Sequence, residues 1–263
     1  MDTVPVSTLS RTAFDATHSL KRIGSGKSIH SAADNPAAAA VAVGLETASS
    51  SERAAQRNIN DGMSILQTAD SASGTASDAL QRMRELAVAA SSGTVSGDAR
   101  QALQDEFSQL QQHIDDTAAR TEFAGQPLVD GTRGSIDVQA GRDMGDTVRM
   151  DMPDLTAGAL GIGGLDLSSS GNAQAALDQI DTALADVSSA RSDLGATHNR
   201  LASATHTGES RIEAQTASES RIMDTDMAKE VSTLANLQLQ TKAGVAAAVQ
   251  SRNIQRTAVL GLL

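Results

Sequence analysis

Residues 24–28 read Gly-Ser-Gly-Lys-Ser, a run whose glycines, lysine and hydroxyl could in principle cradle a phosphate. A phosphate loop also needs a glycine five positions before Gly26, where this chain has Lys21, and a β-strand leading into it. Residues 6–23 carry a helical apolar stripe instead, so the run reads as a helix break. His18, His30, His113, His198 and His206 are scattered, with no two of them four residues apart. That is the spacing that turns two imidazoles toward one metal. Asp115-Asp116 and the Asp224/Asp226 pair lack the alternating oxygen ligands of a calcium loop. There is no cysteine, which removes disulfides, thiolate metal sites and cysteine nucleophiles. No catalytic, metal or cofactor-binding set emerges, and the expectation is a protein that is not an enzyme.

The composition narrows the class further. The net charge of −11 disfavours nucleic-acid phosphates and anionic membrane surfaces as partners. No window approaches the about 20 apolar residues that span a bilayer, and the first residues carry no cleavable export-signal pattern. Only Phe14, Phe107 and Phe123 are aromatic, while 40% of the 263 residues are apolar and many of those are alanine. Small side chains make a thin core suited to long helices lying close together.

The elements follow from periodicity. Val6, Leu9, Ala13, Ala16, Leu20 and Ile23 step by three and four, a heptad seam that calls for a helical partner. Gly24-Ser25-Gly26 breaks it, and Asp34 or Asn35 can cap a second helix with Pro36 in its first turn. That helix, about 37–91, has an imperfect seam through Leu45, Ala48, Ala55, Ile59, Leu66, Ala69, Ala76, Leu80, Met83, Ala87 and Ala90, with gaps at Glu52, Gly62 and Ser73. A third helix is expected over about 98–119, with Leu103, Phe107, Leu110 and Ile114 on one face. Residues of about 121–167 turn glycine-rich, and the alternation at Ile136, Val138, Val148, Met150 and Met152 predicts one or two β-hairpins. The helical period returns over about 173–222 through Leu177, Ile180, Leu184, Val187, Leu194 and Leu201. A last helical stretch, 231–263, carries Leu234, Leu237, Val259, Leu260, Leu262 and Leu263.

The expected fold class is therefore dominated by α-helix: a long antiparallel coiled-coil or bundle rod with a small β-hairpin patch mid-chain. The expected division is an N-terminal arm at 1–35, a rod domain at 36–223 and a C-terminal arm at 224–263 that pairs with the first. The seam residues Val6, Leu9, Leu20 and Ile23 are matched to Leu234, Leu237, Val259, Leu260, Leu262 and Leu263. Both arms are too short to hold alone, so they should order fully only within an assembly.

Several blocks resemble the bacterial flagellin family. They are Arg22-Ile23-Gly24-Ser25-Gly26 with Ile29, Ser31-Ala32 and Asp34; Asn60-Asp61-Gly62-Met63-Ser64; Leu80 to Val88; Thr121-Glu122-Phe123 with Asp130-Gly131; Leu194-Gly195-Ala196 with Asn199-Arg200-Leu201; and Ser220-Arg221-Ile222. The chain departs in a first helix shorter by about one to two heptads, in lacking a proline near the carboxyl end, and in a middle too short for outer domains. The resemblance implies a short-form flagellin: a homopolymer-forming subunit of the extracellular flagellar filament, exported unfolded through the flagellar type III route. It implies an export chaperone and hook-associated junction and cap proteins as partners, and a Toll-like innate immune receptor docking at Arg82, Leu86 and Glu106. The rival readings are a hook–filament junction protein and a secreted coiled-coil protein that does not polymerise.

Overall fold

The structure is a computed structural model that describes the backbone of residues 4–260 and the side chains of residues 7–254 and 257. Among these residues five helices and two small hairpins succeed one another: α1 (Val4–Ser25), α2 (Pro36–Ser91), α3 (Gly97–Arg120), β1 (Glu122–Phe123), β2 (Gln126–Pro127), β3 (Ser135–Gln139), β4 (Thr147–Asp151), α4 (Ser170–Met223) and α5 (Met227–Leu260). The helix-dominated class with a small β patch is thus what the chain adopts. It divides into two compact units, Met1–Ser49 with Glu213–Leu263, and Ser50–Ile212.

The Ser50–Ile212 unit is organised by the seam of α2. Glu52, Ala55, Ile59, Gly62, Leu66, Ala69, Ser73, Ala76, Leu80, Met83, Ala87 and Ala90 are all buried, an unbroken alternation of three- and four-residue steps. The three polar or glycine positions that interrupt the apolar pattern do not interrupt the packing. Ser73 returns its hydroxyl to Ala69 O at 2.8 Å. Gly62 makes room: a β-carbon there would lie 3.1 Å from Val138 Cγ2 and 3.4 Å from Leu201 Cδ1. The matching face of α4 buries Ala173, Ala176, Ile180, Ala183, Val187, Leu194, Leu201 and Gly208.

Three ion pairs show the direction of these two helices. Arg84 Nε meets Asp181 at 2.6 Å, Arg191 Nε meets Asp70 at 2.8 Å, and Arg211 Nη1 meets Glu52 at 3.5 Å. As one number falls the other rises, so α2 and α4 run antiparallel.

A second α2 stripe, Ala72, Ala79 and Leu86, is buried at seven-residue steps, as expected of a helix with a second neighbour. That neighbour is α3, which buries Phe107, Ile114 and Ala118. Ser96 caps α3 by accepting from Ala99 N. Arg100 closes the preceding turn by donating to the Ala90 and Ser92 carbonyls at 3.1 and 3.2 Å, which serves the otherwise orphaned end of α2.

Two antiparallel hairpins fill the predicted β patch. β1–β2 turns through Ala124 (φ 50°) and Gly125 (φ 75°), the doubly left-handed pair that suits a two-residue hairpin. In β3–β4, Ile136 faces Met150 and Val138 faces Val148. Polar side chains of α3 hold the following coil: Asp115 accepts from Ala157 N at 2.7 Å, Gln111 donates to Ile162 O at 2.6 Å, and Gln104 accepts from Leu167 N.

In the other unit, α1 and α5 lie side by side. Ser19 meets Glu230 near one end, and Leu9 meets Gly244 further along, so these helices are also antiparallel. Asn35 caps α2 by accepting from Ala38 N, and Asp226 caps α5 by accepting from Ala228 N and Lys229 N.

Candidate assembly and recognition surfaces

The seam between the terminal helices comes first. The α5 face toward α1 is Glu230, Leu234, Leu237, Thr241, Gly244 and Ala248, stepping by four and three. The α1 face is Leu9, Thr12, Ala16, Ser19 and Ile23. Leu9, Ile23, Leu234 and Leu237 of the expected set are therefore brought together, each half-buried. Leu20 is not: it is 53% exposed and off the seam, while Ser19 beside it is buried.

The physical reason is a polar lock. Ser19 Oγ donates to Glu230 Oε1 at 2.7 Å, and Arg22 Nη1 lies 3.5 Å from the same oxygen. Between Leu9 and Ile23 a heptad helix can step three-then-four or four-then-three, and the lock selects the order that runs through Thr12 and Ser19. The side chains of Val6, Val259 and Leu260, and all of Leu262 and Leu263, lie outside the described residues.

Much apolar surface of this unit is left uncovered. Phe14, Leu20, Val41, Val43, Met227, Val231, Leu239, Val245, Val249 and Ile254 are all exposed. Only Val88 and Met144 are comparably exposed large hydrophobics in the Ser50–Ile212 unit. An apolar surface so concentrated marks an interaction face.

The Gly-Ser-Gly-Lys-Ser run is the corner where α1 ends. Gly26, at φ 72°, donates to Arg22 O at 2.8 Å, the left-handed glycine end of a helix. Lys27 N donates to Ser25 Oγ, and Ser28 N donates to Met223 O at 2.6 Å. Thr225 N returns a bond to Gly26 O at 2.9 Å. The amides a phosphate would need are already engaged, so the run is a structural corner.

The second surface lies where α2 meets α3. Arg82 donates from Nε to Glu106 at 2.8 Å and from Nη1 to Glu85 at 2.8 Å, all three side chains being exposed. These bonds, that to Glu85 foremost, push the guanidinium pKa above its ordinary value and keep the charge fixed. Leu86 requires a correction as a contact residue. It is 3% exposed and lies in the core with Ala79, Ala87 and Phe107. Such a side chain presents no surface to a partner; it supports the helix that carries Arg82.

Paired terminal helices that leave many large apolar side chains uncovered, in a chain whose other unit encloses its own core, define a self-associating structural protein. Comparison with known sequences gives the same class a family. The description "Bacterial flagellin N-terminal helical region" matches residues 4–133, and "Bacterial flagellin C-terminal helical region" matches residues 177–263. A flagellin of Halalkalibacterium halodurans is 37% identical over 246 residues, covering 93% of this chain and 90% of that protein. A flagellin of Listeria monocytogenes is 31% identical over 245 residues, covering 87% of this chain and 85% of that one. The crystal structure of Bacillus cereus flagellin superposes with a TM-score of 0.54 at 32% identity, over 58% of this chain and 88% of that one. A flagellar hook-associated protein structure from Vibrio parahaemolyticus shares the fold, with a TM-score of 0.62 at 18% identity, over 73% of this chain and all of the other.

The chain belongs to the bacterial flagellin family, in a short form. It is a structural subunit of the flagellar filament, and the family is not one of enzymes. As a filament component its place is extracellular, and no helix among the described residues is long and apolar enough to cross a membrane.

Proposed function

We propose that polymerisation of this subunit is coupled to completion of the α1–α5 pair, which a single chain leaves half-covered. The observation that carries the reading is the set of ten exposed large hydrophobics on the terminal unit. Neighbouring copies cover this surface through heterologous contacts that do not close, so growth yields a filament. The subunit travels unfolded through the flagellar type III route, with an export chaperone on the apolar C-terminal arm beforehand. Hook-associated junction and cap proteins bound the polymer. The proposed arms, 1–35 and 224–263, lie inside the terminal unit of Met1–Ser49 with Glu213–Leu263.

Electron microscopy of the purified chain, seeded with short filaments in ammonium sulfate, tests this reading, since that salt strengthens apolar burial. Long uniform filaments are expected from the full chain, and soluble helical protein without filaments from a chain lacking residues 231–263. Normal filaments from the truncated chain would refute the coupling.

A second role rests on Arg82 and Glu106. We propose that this fixed ion pair on the α2–α3 face is where a Toll-like innate immune receptor docks, with Leu86 beneath it as support.

A further inference from the structure

The chain has eight methionines, and the fold treats them very differently. Met83 and Met150 are fully enclosed, Met152 is buried, and Met63 and Met223 are half-buried. Met227, in the first turn of α5, is 44% exposed. Met144, between β3 and β4, is 103% exposed, so its whole side chain stands in solvent. The eighth, Met1, lies outside the described residues.

The turn itself is tied down. Gln139 Nε2 donates to the Gly141 and Asp143 carbonyls at 2.7 Å each. Ala140 N donates to Asp146 O at 2.7 Å, and Asp146 N donates to Asp143 O at 3.1 Å. Around Met144 the residues Arg142, Asp143, Gly145 and Asp146 are all exposed, and none of them covers it. A single apolar side chain in water is ordinary on a protein surface and does not by itself mark a partner. What the exposure does give is access to the sulfur, and a thioether is a group that peroxide converts to a sulfoxide.

We infer that Met144 is the oxidation site of this subunit, the described methionine that hydrogen peroxide modifies first, and that the fold tolerates the modification there. The sulfur lone pair attacks one peroxide oxygen, so that an S–O bond forms as the O–O bond breaks. The proton of the transferred hydroxyl passes to the departing hydroxide, which leaves as water. Sulfur is oxidised and peroxide reduced by the same electron pair. The sulfoxide oxygen at Met144 enters solvent and displaces no packing. At Met83, Met150 or Met152 the same oxygen would place a strong dipole inside the apolar core, where an unpaired polar group is costly.

The test is a time course of the purified full chain with limiting hydrogen peroxide, each methionine being followed by peptide mass spectrometry. Met144 is expected to gain its oxygen before Met227. It should also react at least about tenfold faster than Met83, Met150 and Met152, which an oxidant reaches only through local opening. Chain oxidised at Met144 alone should keep the wild-type melting temperature. Met144→Leu should remove the fast site, leaving the melting temperature and the rates at the other methionines as they were. Oxidation of Met227 or of a core methionine ahead of Met144 would overturn the assignment, as would equal rates at all of them. A melting temperature lowered by oxidation at Met144 alone would overturn the tolerance.

Discussion

Gly244 is a close approach between the terminal helices, and it sets a quantitative test of the arm-pairing mechanism. A β-carbon built there lies 3.2 Å from Leu9 Cδ1, inside ordinary van der Waals contact, but the obstacle is the end of a flexible side chain. Gly244→Ala therefore carries two opposed effects. Helix propensity improves by about 1 kcal/mol, and displacing Leu9 slightly from its preferred rotamer costs about 0.5–1.5 kcal/mol. The two nearly cancel. Gly244→Leu adds three further carbons into space that Leu9 already fills, and overpacking of that kind costs about 1–3 kcal/mol. The seam has little to absorb this, since its large apolar side chains are only half-buried. α1, a 22-residue helix, draws most of its helical stability from packing on its partner rather than from propensity. Far-UV circular dichroism reads the helix content, and sedimentation after seeding reads the polymer. Gly244→Ala should match wild type in both; Gly244→Leu should lose the signal of the terminal helices and remain in the supernatant. Wild-type helicity and polymer yield from Gly244→Leu would mean that assembly does not use this seam.

Two further outcomes are expected. Leu86→Ala should lower unfolding stability by about 2–5 kcal/mol, as a buried leucine does, whereas Arg82→Ala should leave the melting temperature nearly unchanged and weaken receptor-reporter signalling. A comparable loss of stability from both would contradict the division into support and contact. Asp34 is held below its ordinary pKa of 3.8 chiefly by the His30 backbone amide, then by that of Ser31. A depressed folded pKa stabilises the protein above the unfolded value, and that contribution disappears as pH falls through the folded one. Asp34→Ala should therefore melt lower than wild type at neutral pH and converge with it in strong acid. A gap that persists unchanged at about pH 2 would exclude the carboxylate's charge as the cause.

Helix positions were largely legible because their punctuation is local. Gly26, Asn35, Ser96 and Asp226 stop or cap helices through bonds to their own neighbours. Seams were less legible, because apolar counting assumes that a buried position must be large or greasy. Gly62 and Ser73 are buried for the opposite reason: they are small, and one admits the β-hairpin while the other satisfies its own hydroxyl. The second stripe of α2, with Leu86, requires knowing that two helices pack against it, which a single periodic trace does not reveal. The α1 seam turned on one hydrogen bond, Ser19 to Glu230, between residues 211 apart. No local pattern marks it. Glu52 is buried as well, and in the sequence its charge at a seam position reads as a gap.

The distribution of apolar burial explains why a protein of this composition polymerises. In the Ser50–Ile212 unit, alanine-lined seams and a few large residues such as Phe107, Ile114 and Ile180 are fully enclosed by their own chain. That unit encloses its own apolar core. The terminal unit is built differently: Thr12, Ser19, Glu230, Thr241 and Gly244 occupy seam positions, while Phe14, Leu20, Leu239, Val249 and Ile254 face outward. Exchanging the two sets would give a self-sufficient coiled coil with no reason to associate. As arranged, the polar lock fixes the register of the pair at low apolar cost, and the larger hydrophobic gain, about 1.5–3 kcal/mol for each large aliphatic or Phe side chain fully covered, becomes available only when other copies arrive. Stability withheld from the monomer in this way is what makes the polymer the favoured state.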